Sequence, residues 1–124
     1  MTAQINVWNQ VSTGLTVAGN SPNLSAFDAD YLALLLDITA LAGTAPTIQV
    51  FIEELDRVGA WAPVAQTAVL SAVGYTRLDI GPLTANAVTF GDTVRVRWVI
   101  GGTVGQTVTC TIQLNGRKSS RGPK

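Results

Sequence analysis

From Gln106 to Leu114 the chain alternates without a break: Val108, Cys110, Ile112 and Leu114 fall on one side, and Thr109, Thr111 and Gln113 on the other. A period of two is the mark of a strand with one face buried, and a helix cannot keep such a pattern on one side. The same beat recurs at Val94, Val96, Trp98 and Ile100 and at Ile48, Val50 and Ile52. It recurs again from Tyr31 to Ala40, where Leu32, Leu34, Leu36 and Ile38 oppose Ala33, Leu35, Asp37 and Thr39. The leucines and alanines of this segment have helical propensity, and Asp28 or Asp30 could cap a helix start. The uniformly apolar alternate set favours a strand.

Glycines lie between the strand at Val94–Ile100 and the strand that ends at Leu114. A phosphate-binding loop needs a helix after the glycines, whose N-terminus supplies converging N–H groups. Here a strand follows, and neither the Lys-Ser/Thr ending nor a spaced Gly-x-Gly-x-x-Gly is present. The stretch therefore reads as a β-hairpin. "DITALAGTAPTIQVFIE" and "RWVIGGTVGQTVTCTIQL" share one outline of strand, Gly-Thr turn and strand, and are expected to be two hairpins of one kind.

The remaining punctuation agrees with many short strands. A strand through Ile5, Val7 and Trp8 and another at Leu15–Val17 should end at "GNSPN", which is turn chemistry. Asp56–Gly59 and Val73-Gly74 read as turns and Tyr75–Ile80 as a strand, with Gly81-Pro82 and Phe90-Gly91-Asp92 closing the segments around them. "WAPVAQ" suits an edge strand, since Pro63 cannot donate to a ladder. Strands about 8 to 12 residues apart with turns between them predict an all-β chain, a single antiparallel β-sandwich of jelly-roll or Ig-like type. Residues 1–115 would form it, with 1–20 as an extended N-terminal arm and 116–124 as a basic, flexible tail. At 124 residues one domain can bury its own core.

Charged residues make up only 13% of the chain, where about 25% is usual, and threonine, serine, asparagine and glutamine take their place. Neutral hydroxyls and amides cost less to cover than unpaired ions, so such a surface suits assembly. Arg117, Lys118, Arg121 and Lys124 lie in the last nine residues. Residues 1–115 carry four basic against eight acidic side chains, a formal charge of −4. The tail reads as a solvated terminus or as an electrostatic foot on an acidic partner. It has no aromatic residue to stack on bases, which speaks against nucleic acid.

No catalytic constellation emerges. The chain has no histidine and one cysteine, so it lacks a cysteine-histidine dyad, a histidine-bearing metal site and an internal disulfide, and Cys110 falls in the apolar register. Asp28-x-Asp30 lacks the rest of a calcium loop, and adjacent Glu53 and Glu54 point to opposite faces of a strand. Asp37, set in an apolar run, is expected to be buried and paired or protonated, with Arg95 and Arg97 as partners for it or for Glu53. No cofactor or metal is implied, and the chain reads as a non-enzyme. The N-terminus lacks the pattern of a signal peptide, and no apolar run is long enough for a membrane-spanning helix. Trp98 belongs to the core register, while Trp61 beside a turn is the expected exposed tryptophan.

The apolar strand before "AGTAPTIQV", the stretch "DRVGAWAPVAQ", the "IGP" after a strand and "VRVRWVIGGT" before the terminal strand together resemble small β-rich virion proteins of tailed bacteriophages. The resemblance covers about residues 31–114 at the level of fold pattern and transfers no functional residue. It implies a homo-oligomeric structural protein located in the virion and assembled in the host cytoplasm. Its expected place is that of a capsid decoration or cement protein bound to the major capsid protein, with a tail or neck subunit as the alternative. A second alternative is a carbohydrate-binding adhesion module on the virion, with Trp61 and Tyr75 as its stacking surface. Trp61, Tyr75, Arg117, Lys118, Arg121 and Lys124 are the candidate partner contacts.

Overall fold

A computed structural model describes residues 3–25, 31–56, 58–81, 92–103 and 105–118. These residues contain no helix, and their strands form two antiparallel sheets packed face to face, a β-sandwich. In chain order the strands are β1 (Ala3–Leu15), β2 (Gly19–Asn20), β3 (Leu24–Ser25), β4 (Tyr31–Ala42), β5 (Thr47–Leu55), β6 (Trp61–Gln66), β7 (Gly74–Ile80), β8 (Thr93–Gly101) and β9 (Thr107–Lys118). The first sheet runs β1-β9-β4-β7, and the second runs β2-β8-β5-β6 with β3 also on β8.

If β2 and β3 are counted as halves of one edge strand, each sheet has four strands and the first strand of the chain lies beside the last. This is the double Greek-key order of a jelly roll, whereas an Ig-like sandwich would pair the first strand with the second. The inner rows meet as the alternation predicts: Leu32, Leu34, Leu36, Ile38, Ile112 and Leu114 of the first sheet face Ile48, Val50, Ile52, Val94 and Val96 of the second. Across this core Trp8 stacks on the buried Trp98, with ring centroids 6.2 Å apart.

The two Gly-Thr units are not hairpins. β4 and β5 lie in different sheets, as do β8 and β9, so each unit is an arch that carries the chain across the core. The arches lie side by side in opposite sense, β4 pairing with β9 and β5 with β8. Thr44 O accepts from Thr103 N at 3.1 Å where the two turns touch. At Gly43 φ is +95°, and a Cβ there would stand 2.5 Å from Gly105 O and 2.7 Å from Gln106 Cα. The close approach of the second arch thus requires glycine in the first.

Three further expectations change. The N-terminal segment is one long strand through Leu15, and Val17 lies exposed beyond it. "GNSPN" interrupts an edge strand without ending it: Gly19–Asn20 and Leu24–Ser25 both pair with β8. At the interruption the buried Ser21 accepts from Val96 N through Oγ at 2.9 Å and donates to Pro22 O. At the opposite edge Thr67 does the same, accepting from Val50 N at 3.1 Å and donating to Ala68 O. Irregular edges of this kind discourage pairing with another chain. At the C-terminal end β9 continues to Lys118, three residues past the expected boundary at 115. Asp28, Asp30 and the segments 82–91 and 119–124 lie outside the described residues.

Candidate functional site

On β8 the residues between the core positions Val94, Val96 and Trp98 must face outward, which puts Arg95 and Arg97 on the outer face of the second sheet. Glu53 of β5 is the register partner of Arg95, and Phe51 that of Arg97. Arg95 Nε donates to Glu53 Oε1 at 2.8 Å and Arg97 Nε to Oε2 at 2.9 Å. Each guanidinium also lies over an aromatic ring, Arg95 4.4 Å from the centroid of Trp61 and Arg97 4.1 Å from that of Phe51. The Glu53 side chain is only 6% exposed, the arginines 21% and 32%.

Burial acts most strongly on the Glu53 carboxyl and pushes its pKa up. The hydrogen bonds and charges of Arg95 and Arg97 together outweigh it, and the net pKa lies below the ordinary 4.5. The result is a plate of two aromatic rings, two guanidinium groups and one carboxylate, locked in one arrangement with a formal charge of +1.

The outer face of the first sheet is built differently. Tyr75 of β7, Leu35 and Asp37 of β4, and Thr111 and Gln113 of β9 line an open depression of about 320 Å3. Tyr75 is 61% exposed, and Asp37 is exposed too. Asp37 is therefore not the buried carboxylate expected from its apolar neighbours in sequence, because it lies on the outward row of β4. Arg95 and Arg97 belong to the other sheet and cannot reach it. Arg77, one row along β7, binds Asp79 through Nε at 2.9 and 3.0 Å to the two carboxylate oxygens.

Trp61 and Tyr75 do not form the shared stacking surface imagined for them. Trp61 belongs to β6 of the second sheet, half-buried beneath Arg95, and Tyr75 to β7 of the first. Arg117 is exposed near the end of β9, which closes at Lys118, while Arg121 and Lys124 lie outside the described residues. Phe51 was missed by the sequence reading, although its place two residues before Glu53 put it on the same outward row. Among the described residues no three His, Cys, Asp or Glu side chains converge on a point where a metal ion could sit.

The chain matches no model of a known protein family and none of the curated proteins with which it was compared.

Proposed function

We propose that the chain is a structural subunit of a tailed-phage particle, of the capsid-decoration kind, which adds to the head lattice through contacts with its own copies and with the shell protein. The observation that carries this reading is the locked plate on the second sheet. Tryptophan and arginine are the side chains that most often anchor protein interfaces. Here Glu53 already holds both arginines and Arg95 lies over Trp61, so a partner covering them immobilises little that was free. The carboxylate offsets one of two positive charges, which lowers the desolvation needed for close contact. The jelly-roll order and the low charge of the chain fit the same role. Many weak contacts in a lattice would supply affinity jointly.

The test is to purify particles of the phage that encodes the chain, count its copies and image their position. Many copies on the head, lost when Trp61→Ala and Arg97→Ala are combined in a protein that still folds, would support the reading. A few copies in a ring at the neck or along the tail would make the chain a connector or tail subunit instead. Absence from particles would overturn both.

A further inference from the structure

We infer that the depression around Tyr75 on the first sheet binds a neutral pyranose sugar, with the Tyr75 ring against the apolar face of the sugar and Asp37, Thr111 and Gln113 at its hydroxyl rim. This site is distinct from the plate on the second sheet and does not depend on the assembly reading.

Asp37 is the residue that calls for a ligand. Aspartate is among the residues least suited to strands, and β4 is an inner strand of its sheet, flanked by β9 and β7. The obvious partner, Arg77, is turned to Asp79 instead. Among the described residues the side chains of Asp37, Thr111 and Gln113 make no hydrogen bond, so a carboxylate, a hydroxyl and an amide stand ready together. Register fixes their spacing. Asp37 is the Cα partner of both Tyr75 and Thr111, and Leu35 that of Gln113, so the five residues come from two adjacent rows across three hydrogen-bonded strands. Such a backbone is rigid, and a site on it is presented already formed.

The chemistry selects the ligand class. A pyranose has one face of C–H groups and a rim of hydroxyls. An exposed tyrosine ring offers an apolar body for the first, and Leu35 lies beside it. A carboxylate accepts two hydroxyl hydrogen bonds, and an amide both donates and accepts. A volume of about 320 Å3 lies at the low end of small-molecule sites and suits one or two sugar rings. The charge of Asp37 disfavours uronic and sialic acids, since an unpaired like charge would face it. An open site with few contacts binds weakly, with a dissociation constant on the order of 1 mM. Repetition of the site on an assembled surface would raise the effective strength.

The experiment is an amide NMR titration of the full chain with the methyl glycosides of glucose, galactose, mannose and N-acetylglucosamine, and with glucuronate as the anionic control. At least one neutral glycoside should shift the amides of Leu35, Asp37, Tyr75, Thr111 and Gln113. Tyr75→Ala and Asp37→Asn should each weaken it about tenfold or more, while Trp61→Ala on the other sheet leaves it unchanged. Asp37→Asn sits at an exposed position and keeps the fold measurable if Tyr75→Ala does not. No shift at these amides with any neutral glycoside overturns the inference, as does undiminished binding in both Tyr75→Ala and Asp37→Asn, or glucuronate binding as tightly as the neutral sugars.

Discussion

Arg95 and Glu53 face each other in register across β8 and β5, and the 2.8 Å bond between them closes one side of a carboxylate that Arg97 closes on the other. Glu53→Gln replaces one acceptor oxygen with a donor that must face an arginine. Removing one partner from a mostly buried charged pair is costly, and with the arginines partly in solvent the loss should be about 2 kcal/mol in urea unfolding. Because the folded pKa of Glu53 is lowered, its contribution is complete above the unfolded value of 4.5 and is lost as pH falls through the folded value. Acidification from pH ~6 to ~3 should therefore destabilise the native protein more steeply than Glu53→Gln. Parallel slopes in the two proteins would show that the carboxylate carries no such linkage.

Ser21 and Thr67 each satisfy one N–H of a central strand. Thr67→Val keeps the shape and leaves Val50 N without its partner, and Ser21→Ala does the same to Val96 N. Each should lower stability by about 1 to 2 kcal/mol. The two sit on opposite edges of the sheet with β8 and β5 between them, so the double variant should show the sum.

Gly43 and Gly59 both have positive φ, +95° and +85°, but nothing lies within 4 Å of a Cβ built at Gly59. Gly59→Ala should cost about 1 kcal/mol of backbone strain alone. Gly43→Ala adds a collision with the backbone of the second arch and should cost at least about twice as much by thermal unfolding.

Burial pushes the Cys110 thiol up to about 11. The thiolate is the reactive form, so a thiol-specific chromogenic reagent at neutral pH should leave the native protein unlabelled and react promptly once urea unfolds it. Rapid labelling without denaturant would mean that the core row of β9 opens easily.

Which residues face the core was readable from alternation, because each strand settles that question for itself. Leu32 to Ile38, Val94 to Trp98 and Val108 to Leu114 all lie as their period requires. Which strands pair was not readable at the Gly-Thr turns. A hairpin and an arch carry the same period and the same turn residues, and they differ only in whether the apolar rows point the same way or toward each other. Burial against distant strands decides that. Asp37 was misjudged for a related reason: its neighbours in sequence are core residues, yet in a strand adjacent residues occupy opposite faces. That Arg95 and Arg97 share an outward face and could pair across strands was legible, but alternation left both Asp37 and Glu53 open as the acid, and the pairing of β8 with β5 decides for Glu53. Nothing local placed Trp61 under Arg95, because β6 reaches that position through a register shift between Ile52 and Glu53.

β9 fills the gap between β1 and β4, and it pairs residues as distant as Gln4 and Arg117. During synthesis the ribosome delivers the two outer members of that trio long before the middle one. Until β9 follows, β4 has no hydrogen-bonded neighbour on that side, and an apolar strand with an unpaired edge is prone to associate with other polypeptides. Pairing β9 with β1 closes a loop that spans nearly all of the described residues, and contacts so distant in sequence slow folding.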